Sequence, residues 1–268
     1  MNEIKITPVG HGYIEPEIKE EDYVLGDGML AGEVLQPDGQ WDEFLPDPEL
    51  QQRRGLETSN CTSFNTLEPI EAILRRKYGY NFNYSERFLG IAAGTYPPGN
   101  DPHTTAEAVR KQGLVLESDL PFSDNILTVD EYYYPNPLPT DLIQKGKEWL
   151  YWYDFKHDYV FDKGKPHEDK QHRLMEALKF STLGASVFAW ALDGDKYVKM
   201  GRDNHWTCIY GYKEGEYWKI RDSYEPHLKK LEWNYSFGIA KRYSVVKHGT
   251  TPKKRSFRDI IKQLLCRK

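Results

Sequence analysis

From Asn60 onward the apolar residues Phe64, Leu67, Ile70, Leu74 and Tyr78 recur at spacings of three and four, which predicts an α-helix with one buried face. Arg75-Arg76-Lys77 suits the negative end of that helix, and Gly79 stops it. Pro69 lies inside and removes a backbone hydrogen bond, so a kink or break is expected near Glu68. A second helix is expected from Asn83-Tyr84-Ser85-Glu86 and a third from Thr104, where Thr104 and Glu107 match a capping box. The proline-rich run from Tyr96 to Pro102 between them reads as a loop. Residues 120–140 read as irregular, with Tyr132, Tyr133 and Tyr134 forming a lid or a packing surface. Two more helices are predicted over 145–155 and 170–180.

After Leu183-Gly184 the period shortens. Ala185 to Leu192, Trp206 to Tyr212, Tyr217 to Ile220 and Ile239 to Val246 are short, aromatic and β-branched, and Gly and Asp turns separate them. A helical first half followed by a stranded second half predicts an α+β fold of two lobes with a cleft between them.

The two ends differ from this body. Residues 1 to about 60 are rich in Gly, Pro, Asp and Glu, which predicts an extended arm draped over the body, with turns at Gly26-Asp27-Gly28 and Pro37-Asp38-Gly39. An inhibitory propeptide is the functional alternative, but the long charged helix expected of one is missing. The tail from Thr250 is basic and carries Phe257, Ile260, Ile261, Leu264 and Leu265 on one face of a helix over 256–265. That stripe suits docking on the body, or binding of a partner or membrane surface. The expected divisions are an arm over 1–50, a main domain over 51–246 with a helical lobe (51–145) and a β lobe (183–246), and a tail over 247–268.

Composition narrows the classes. A chain of 268 residues, 39% hydrophobic and 29% charged, has the length and apolar content of a folded protein. No apolar run approaches the roughly 20 residues that span a bilayer, and Met1 to Glu21 is polar and acidic rather than a signal peptide. The expected compartment is the cytoplasm, or a virion or host-cell interior for a viral protein. Within the net charge of −5, the segment from Lys247 holds eight Lys/Arg against Asp259, so it carries +7 and the remainder −12. An acidic body with its positive charge confined to one end argues against nucleic-acid binding.

Cys61, Cys208 and Cys266 are odd in number and far apart, which argues against a disulfide framework and against a zinc site. Cys208, in an apolar run, reads as a small buried hydrophobe. His157, His167 and His172 with Asp158 and Glu168 lack metal-ligand spacing and read as a solvated loop and helix. No phosphate-cradling glycine motif stands out, and neither metal nor cofactor is implied.

Cys61 needs its own explanation. The small polar cluster Thr58-Ser59-Asn60 opens the first helix and places Cys61 in its first turn, where the helix dipole favours thiolate over thiol. Thiol acyl transfer also needs an imidazole, a group to orient it and donors for an oxyanion. His205 begins one predicted strand and Asp222 follows the next, so antiparallel pairing of the two strands brings their far ends together. Cys61, His205 and Asp222 are thus the candidate nucleophile, base and orienter.

These segments resemble the papain-like cysteine peptidases. Cys61 opening a helix with Phe64 three residues on looks like the family's Cys-Trp-Ala-Phe, and Leu183-Gly184-Ala185-Ser186-Val187 is similar to Gly-Pro-Val-Ser-Val. Asn204-His205-Trp206, followed by the run from Tyr217 to Tyr224, resembles the histidine strand and the following Tyr-Trp-(x)-Val-Lys-Asn-Ser-Trp. Gly99-Asn100-Asp101-Pro102 looks like the glycine-containing substrate loop, and the segment from Gly113-Leu114 to Pro121-Phe122 like Gly-(x)-Tyr-Pro-Tyr. The likeness runs from about Gln51 to Val246.

The resemblance implies a two-lobed papain-like fold, a helical lobe bearing the nucleophile and an antiparallel β lobe, that hydrolyses peptide bonds in protein or peptide substrates. It implies Asp222 where the family has Asn, Tyr224 in place of the shielding Trp, and Gly99, Asn100, Asp101 and Trp206 along the substrate cleft. The family's oxyanion Gln corresponds to Gly55 here, which leaves Gln52, Gln51 or Asn60 as candidate donors. The chain looks more like the papain-like proteins of bacteria and their phages than like the secreted members. Alternatives are an inactive papain-like structural or binding subunit, for instance of a phage particle, a peptidoglycan-directed amidase, and a transglutaminase-like enzyme. The last usually has Cys and His closer than the 144 positions that separate Cys61 from His205.

Overall fold

A computed structural model describes residues 4–7, 12–19, 22, 32–161 and 167–248. The tail helix expected over 256–265, Cys266 and the Gly26-Asp27-Gly28 turn lie outside the described residues. In chain order the elements are β1 (Lys5–Ile6), β2 (Gln52–Arg53), β3 (Leu56–Glu57), α1 (Cys61–Tyr78), α2 (Glu86–Ala93), α3 (Pro102–Gln112), α4 (Val129–Tyr132), α5 (Thr140–Trp152), β4 (Tyr153–Tyr159), α6 (His167–Leu178), β5 (Leu183–Val187), β6 (Ala191–Asp193), β7 (Lys196–Val198), β8 (His205–Lys213), β9 (Tyr217–Arg221), β10 (Leu228–Glu232) and β11 (Ala240–Lys247).

Helix α1 is the shared wall. Its first fourteen residues, Cys61 to Leu74, are all buried, because it packs on α2 and α3 on one side and on β5, β8 and β11 on the other. It runs unbroken through Pro69, contrary to the break anticipated there; burial on both sides offsets the missing backbone hydrogen bond. Gly79 ends it in the left-handed conformation, as its position predicts.

Caps differ from expectation at α3. Asp101 accepts from the His103 and Thr104 N–H groups at 2.9 and 2.8 Å, and Pro102 takes the first helical position, so the helix starts before Thr104 and the Thr104–Glu107 box does not form. A capping box does form at Thr128 and Glu131, opening the short α4 in a stretch expected to be irregular. Tyr132 and Tyr133 are buried packing residues, whereas Tyr134 is exposed.

Among the described residues the strands β1-β6-β7-β10-β9-β8-β5-β11-β4 form one sheet in that order, antiparallel except for β7 with β10. The helix expected over 145–155 ends at Trp152, and its last three residues open strand β4. The strand forms because seven residues, Tyr153 to Tyr159, pair in register with β11 and complete its edge. His157 and Asp158 therefore lie in a buried strand and not in a solvated loop: His157 bonds Glu107 and Asp158 pairs with Arg242. Gly184 in β5 is needed because a Cβ there would fall 2.5 Å from the Trp206 ring. Cys208 is buried in β8.

Candidate active site

The β8–β9 ladder pairs Cys208 with Arg221, so His205 at the head of β8 and Asp222 just beyond β9 project at the same end. His205 Nε2 and Asp222 Oδ1 are 2.6 Å apart, both side chains fully buried. His205 Nδ1 is buried without a hydrogen-bond partner, and the Cys61 sulfur lies near enough to favour the charged ring. Burial disfavours the imidazolium, but Asp222 and Cys61 outweigh it and push the pKa up to about 10. Asp222 is also desolvated, which would raise it, yet His205 and Lys229 hold it below the ordinary carboxylate value.

Lys229 carries no sequence signal of its role. Strand β10 lies beside β9, and this places the Lys229 ammonium 2.7 Å from Asp222 Oδ2 and within 2.8 and 2.6 Å of the Tyr224 and Pro226 carbonyls. Each carboxylate oxygen of Asp222 thus has its own cationic partner. The Tyr224 ring packs against the imidazole, with ring centroids 5.1 Å apart. Asn65, one turn beyond Cys61, joins the two halves: its Nδ2 donates to the Trp206 carbonyl at 2.6 Å and to the Cys61 carbonyl at 3.1 Å.

The three side chains considered for an oxyanion site part company. Asn60 points away, donating to the Glu86 carbonyl and the Tyr132 hydroxyl. Gln52 is exposed on the β2–β3 hairpin. Gln51 is fully buried in the site's network: its Nε2 donates to Glu57 Oε1 and to the Tyr224 hydroxyl, both at 2.7 Å, and its Oε1 accepts from Ser223. Glu57 also accepts from the Ser59 N–H and the Tyr224 hydroxyl, and so braces the approach to Cys61. Ser59 itself has φ of 54°, a strained left-handed conformation just before the helix.

Residues 12–14 cover Cys61. Asn100 donates its N–H to the Gly12 carbonyl and accepts from the Ile14 N–H, both at 2.9 Å, so residues 12–14 run parallel beside the loop of Gly99 and Asn100. The Tyr13 ring stacks on Trp206 at 5.9 Å and packs with Cys61, Tyr159 and Ile239. Gly12 lies so close to the thiol that a Cβ built on it would fall 3.0 Å from Cys61 Sγ and 2.4 Å from the Ser59 carbonyl oxygen. A Cβ on Gly99 would likewise strike the Gly12 carbonyl, at 2.1 Å. Cys61 is consequently shut off from solvent. Nothing in the composition of residues 12–14 signals this placement. Asp101 faces the cap of α3 and contributes its backbone position, its carboxylate being engaged there.

Among the described residues no three His, Cys, Asp or Glu side chains are arranged to hold a metal ion, and no helix is long and apolar enough to cross a membrane.

No protein-family model and no curated protein matches the chain. Solved structures do. Procathepsin L 3 of the Tenebrio molitor larval midgut aligns with TM-score 0.54 and 12% identity, over 80% of this chain and 75% of that one. The proform of the ragweed pollen allergen Amb a 11, a cysteine protease, aligns with TM-score 0.51 and 15% identity, over 76% and 65%. The clostridial cysteine protease Cwp84, after propeptide cleavage, aligns with TM-score 0.60 and 14% identity, over 78% and 57%. The fold of this chain is that of the papain-like cysteine proteases.

Proposed function

We propose that the protein is a thiol-dependent peptidase in which Cys61 is the nucleophile, His205 the base and then the acid, and Asp222 the group that orients His205. The observation that carries this reading is the buried His205–Asp222 contact at 2.6 Å beside a cysteine in the first turn of a helix. Cys61 Sγ attacks the carbonyl carbon of a peptide bond, and the electron pair moves to the carbonyl oxygen. Collapse of that intermediate breaks the C–N bond, with His205 giving its proton to the departing amine and leaving a thioester on Cys61. Water, deprotonated by His205, then attacks the thioester and releases the acid and the thiolate. The oxyanion is received by the Cys61 N–H, which opens the helix without an intrahelical partner, and by the Gln51 amide once it turns from Glu57 or Tyr224.

In this reading residues 51–246 form the catalytic domain and residues 1–50 an arm whose stretch around Gly12–Ile14 must leave the cleft before substrate enters, while Leu35 and Trp41 stay packed in the main core. Two of the similar structures, the procathepsin and the ragweed protein, are themselves proforms, in keeping with a closed state. A second reading, a papain-like scaffold used for binding, is favoured by the engagement of both Gln51 amide hydrogens inside the network.

An irreversible thiol-directed peptidase inhibitor, followed by peptide mass mapping with Cys61→Ala as control, tests the proposal. Labelling of Cys61 in preference to Cys208 and Cys266, with loss of peptide cleavage, is expected. Labelling spread equally over the cysteines would favour the scaffold reading.

A further inference from the structure

Beyond the triad, one wall of the cleft holds a buried cation that the chemistry above does not use. Lys241 in β11 is fully buried, and its ammonium has no hydrogen-bond partner. It sits 3.6 Å from the centroid of the Tyr159 ring, and His103 stacks on that same residue at 6.2 Å. His157 packs edge-on against His103 at 5.3 Å. Tyr159 also packs with Tyr13, Cys61 and Trp206, and His103 follows closely after Asn100, the residue that pairs with the arm. The cationic group therefore adjoins the residues around Cys61 that the arm covers.

The acids fixed nearby are already committed. Asp158 binds Arg242 through both oxygens, at 3.1 and 2.8 Å. Glu107 is held by Arg110, Lys111 and His157, and Asp101 caps α3. The carboxylate that remains comes from the arm. Asp22 is nearly buried, its Oδ1 lies 3.6 Å from His103 Nδ1, and its Oδ2 accepts from the Lys19 N–H at 2.8 Å. Of the acids acting on Lys241, Asp22 acts most strongly. Burial lowers the lysine to about 7 despite these acids, and a carboxylate facing it favours its charged form.

We infer that the buried cluster of His103, His157, Tyr159 and Lys241 is a specificity subsite for an acidic side chain of the substrate, which Asp22 of the arm approaches in this structure through His103. The inference rests on the peptidase reading for its purpose, though not for its binding chemistry. With the arm displaced, a buried ammonium without a partner is costly, and a substrate Glu or Asp restores its counter-ion. A neutral Gln or Asn fills the space without the charge. Discrimination of at least about tenfold between Glu and Gln is expected, since a hydrogen bond to a charged group is worth more than a neutral one.

The test uses the full chain carrying Asp22→Ala, which removes the resident carboxylate, together with Gly12→Ala, which loosens residues 12–14 from the thiol. Two sets of acetylated hexapeptides are compared by thermal shift, one Glu or one Gln being moved along an otherwise neutral sequence. The Glu set should raise the melting temperature at one position at peptide concentrations at least about tenfold lower than the Gln set. Adding Lys241→Met, or His103→Asn should the first not fold, should erase that difference. The same peptides bearing a terminal thiol-reactive group should label Cys61 with the same preference. Equal shifts for Glu and Gln at every position overturn the subsite. Glu-selective shifts without labelling of Cys61 by any probe leave the subsite standing and overturn the peptidase reading instead.

Discussion

Lys229 donates to Asp222 at 2.7 Å across the β9–β10 pair, with both side chains shut off from water, while His205 holds the other carboxylate oxygen. The carboxylate is thereby as fully bonded as a buried anion requires. Lys229→Met is expected to destabilise the protein by about 3–5 kcal/mol, because it strands a buried charge. Denaturant unfolding measures this. Asp222→Asn in the same background should recover a large part of the loss, since a neutral amide no longer needs the cation.

Asp222→Asn alone should lower the His205 pKa. The imidazole ordinarily titrates near 6.5; burial pulls it down, and Asp222 with Cys61 lifts it to about 10. A raised histidine contributes stability that is complete below its unfolded value and is lost as pH climbs through the folded one. The stability gap between wild type and Asp222→Asn should therefore narrow between about 6.5 and 10. NMR titration of the imidazole reads the shift directly, and an unchanged midpoint would count against the pairing.

Gln51→Ala should slow acylation by about 10²–10³, the typical effect of losing one oxyanion donor. The measurement is single-turnover labelling or cleavage in the Gln51→Ala and Gln52→Ala proteins. Gln52 is exposed and its replacement should leave the rate unaltered. Equal rates for the two variants would move the donor role elsewhere.

Gly12→Ala should uncover the thiol. The new methyl would meet the Ser59 carbonyl at 2.4 Å, and overpacking of that kind costs about 1–3 kcal/mol, or roughly 5- to 150-fold in the closed-to-open ratio. Alkylation of Cys61 by a small reagent should accelerate within that range, while Cys208 stays protected.

Glu68→Gln should flatten the pH dependence of stability. Burial raises Glu68 to about 8 from an ordinary 4.5, with Arg221 opposing it in part. A carboxyl that the folded state holds protonated contributes stability below 4.5 and loses it as pH rises towards 8, on the order of 5 kcal/mol at about 1.4 kcal/mol per pKa unit. Melting temperatures across that window, for wild type and variant, decide it.

Several features were legible in the linear sequence because they are local. The apolar spacing from Phe64 to Tyr78 and the Gly79 stop produced α1 with Cys61 at its head. The alternation around His205 and the run from Tyr217 to Arg221 produced an antiparallel hairpin, and such a ladder forces residues at its open end together whatever their sequence distance. The helical first half and stranded second half carried the fold class, and the places of His205 and Asp222 on neighbouring strands carried their meeting.

Tertiary structure decided what local preference does not encode. Strand β4 continues from α5 without a turn signal and exists because β11 offers it an edge. Lys229 reads as one more strand lysine until β10 lies beside β9 and desolvates it against Asp222. Gln51, Gln52 and Asn60 are equivalent amides on paper, and only the packing around Tyr224 and Glu57 separates them. Gly12 and Asp22 belong to a polar arm with no periodicity, and their places against Cys61 and His103 follow from cleft shape and buried charge. These are long-range contacts between groups taken out of water, whose energies depend on neighbours distant in the chain.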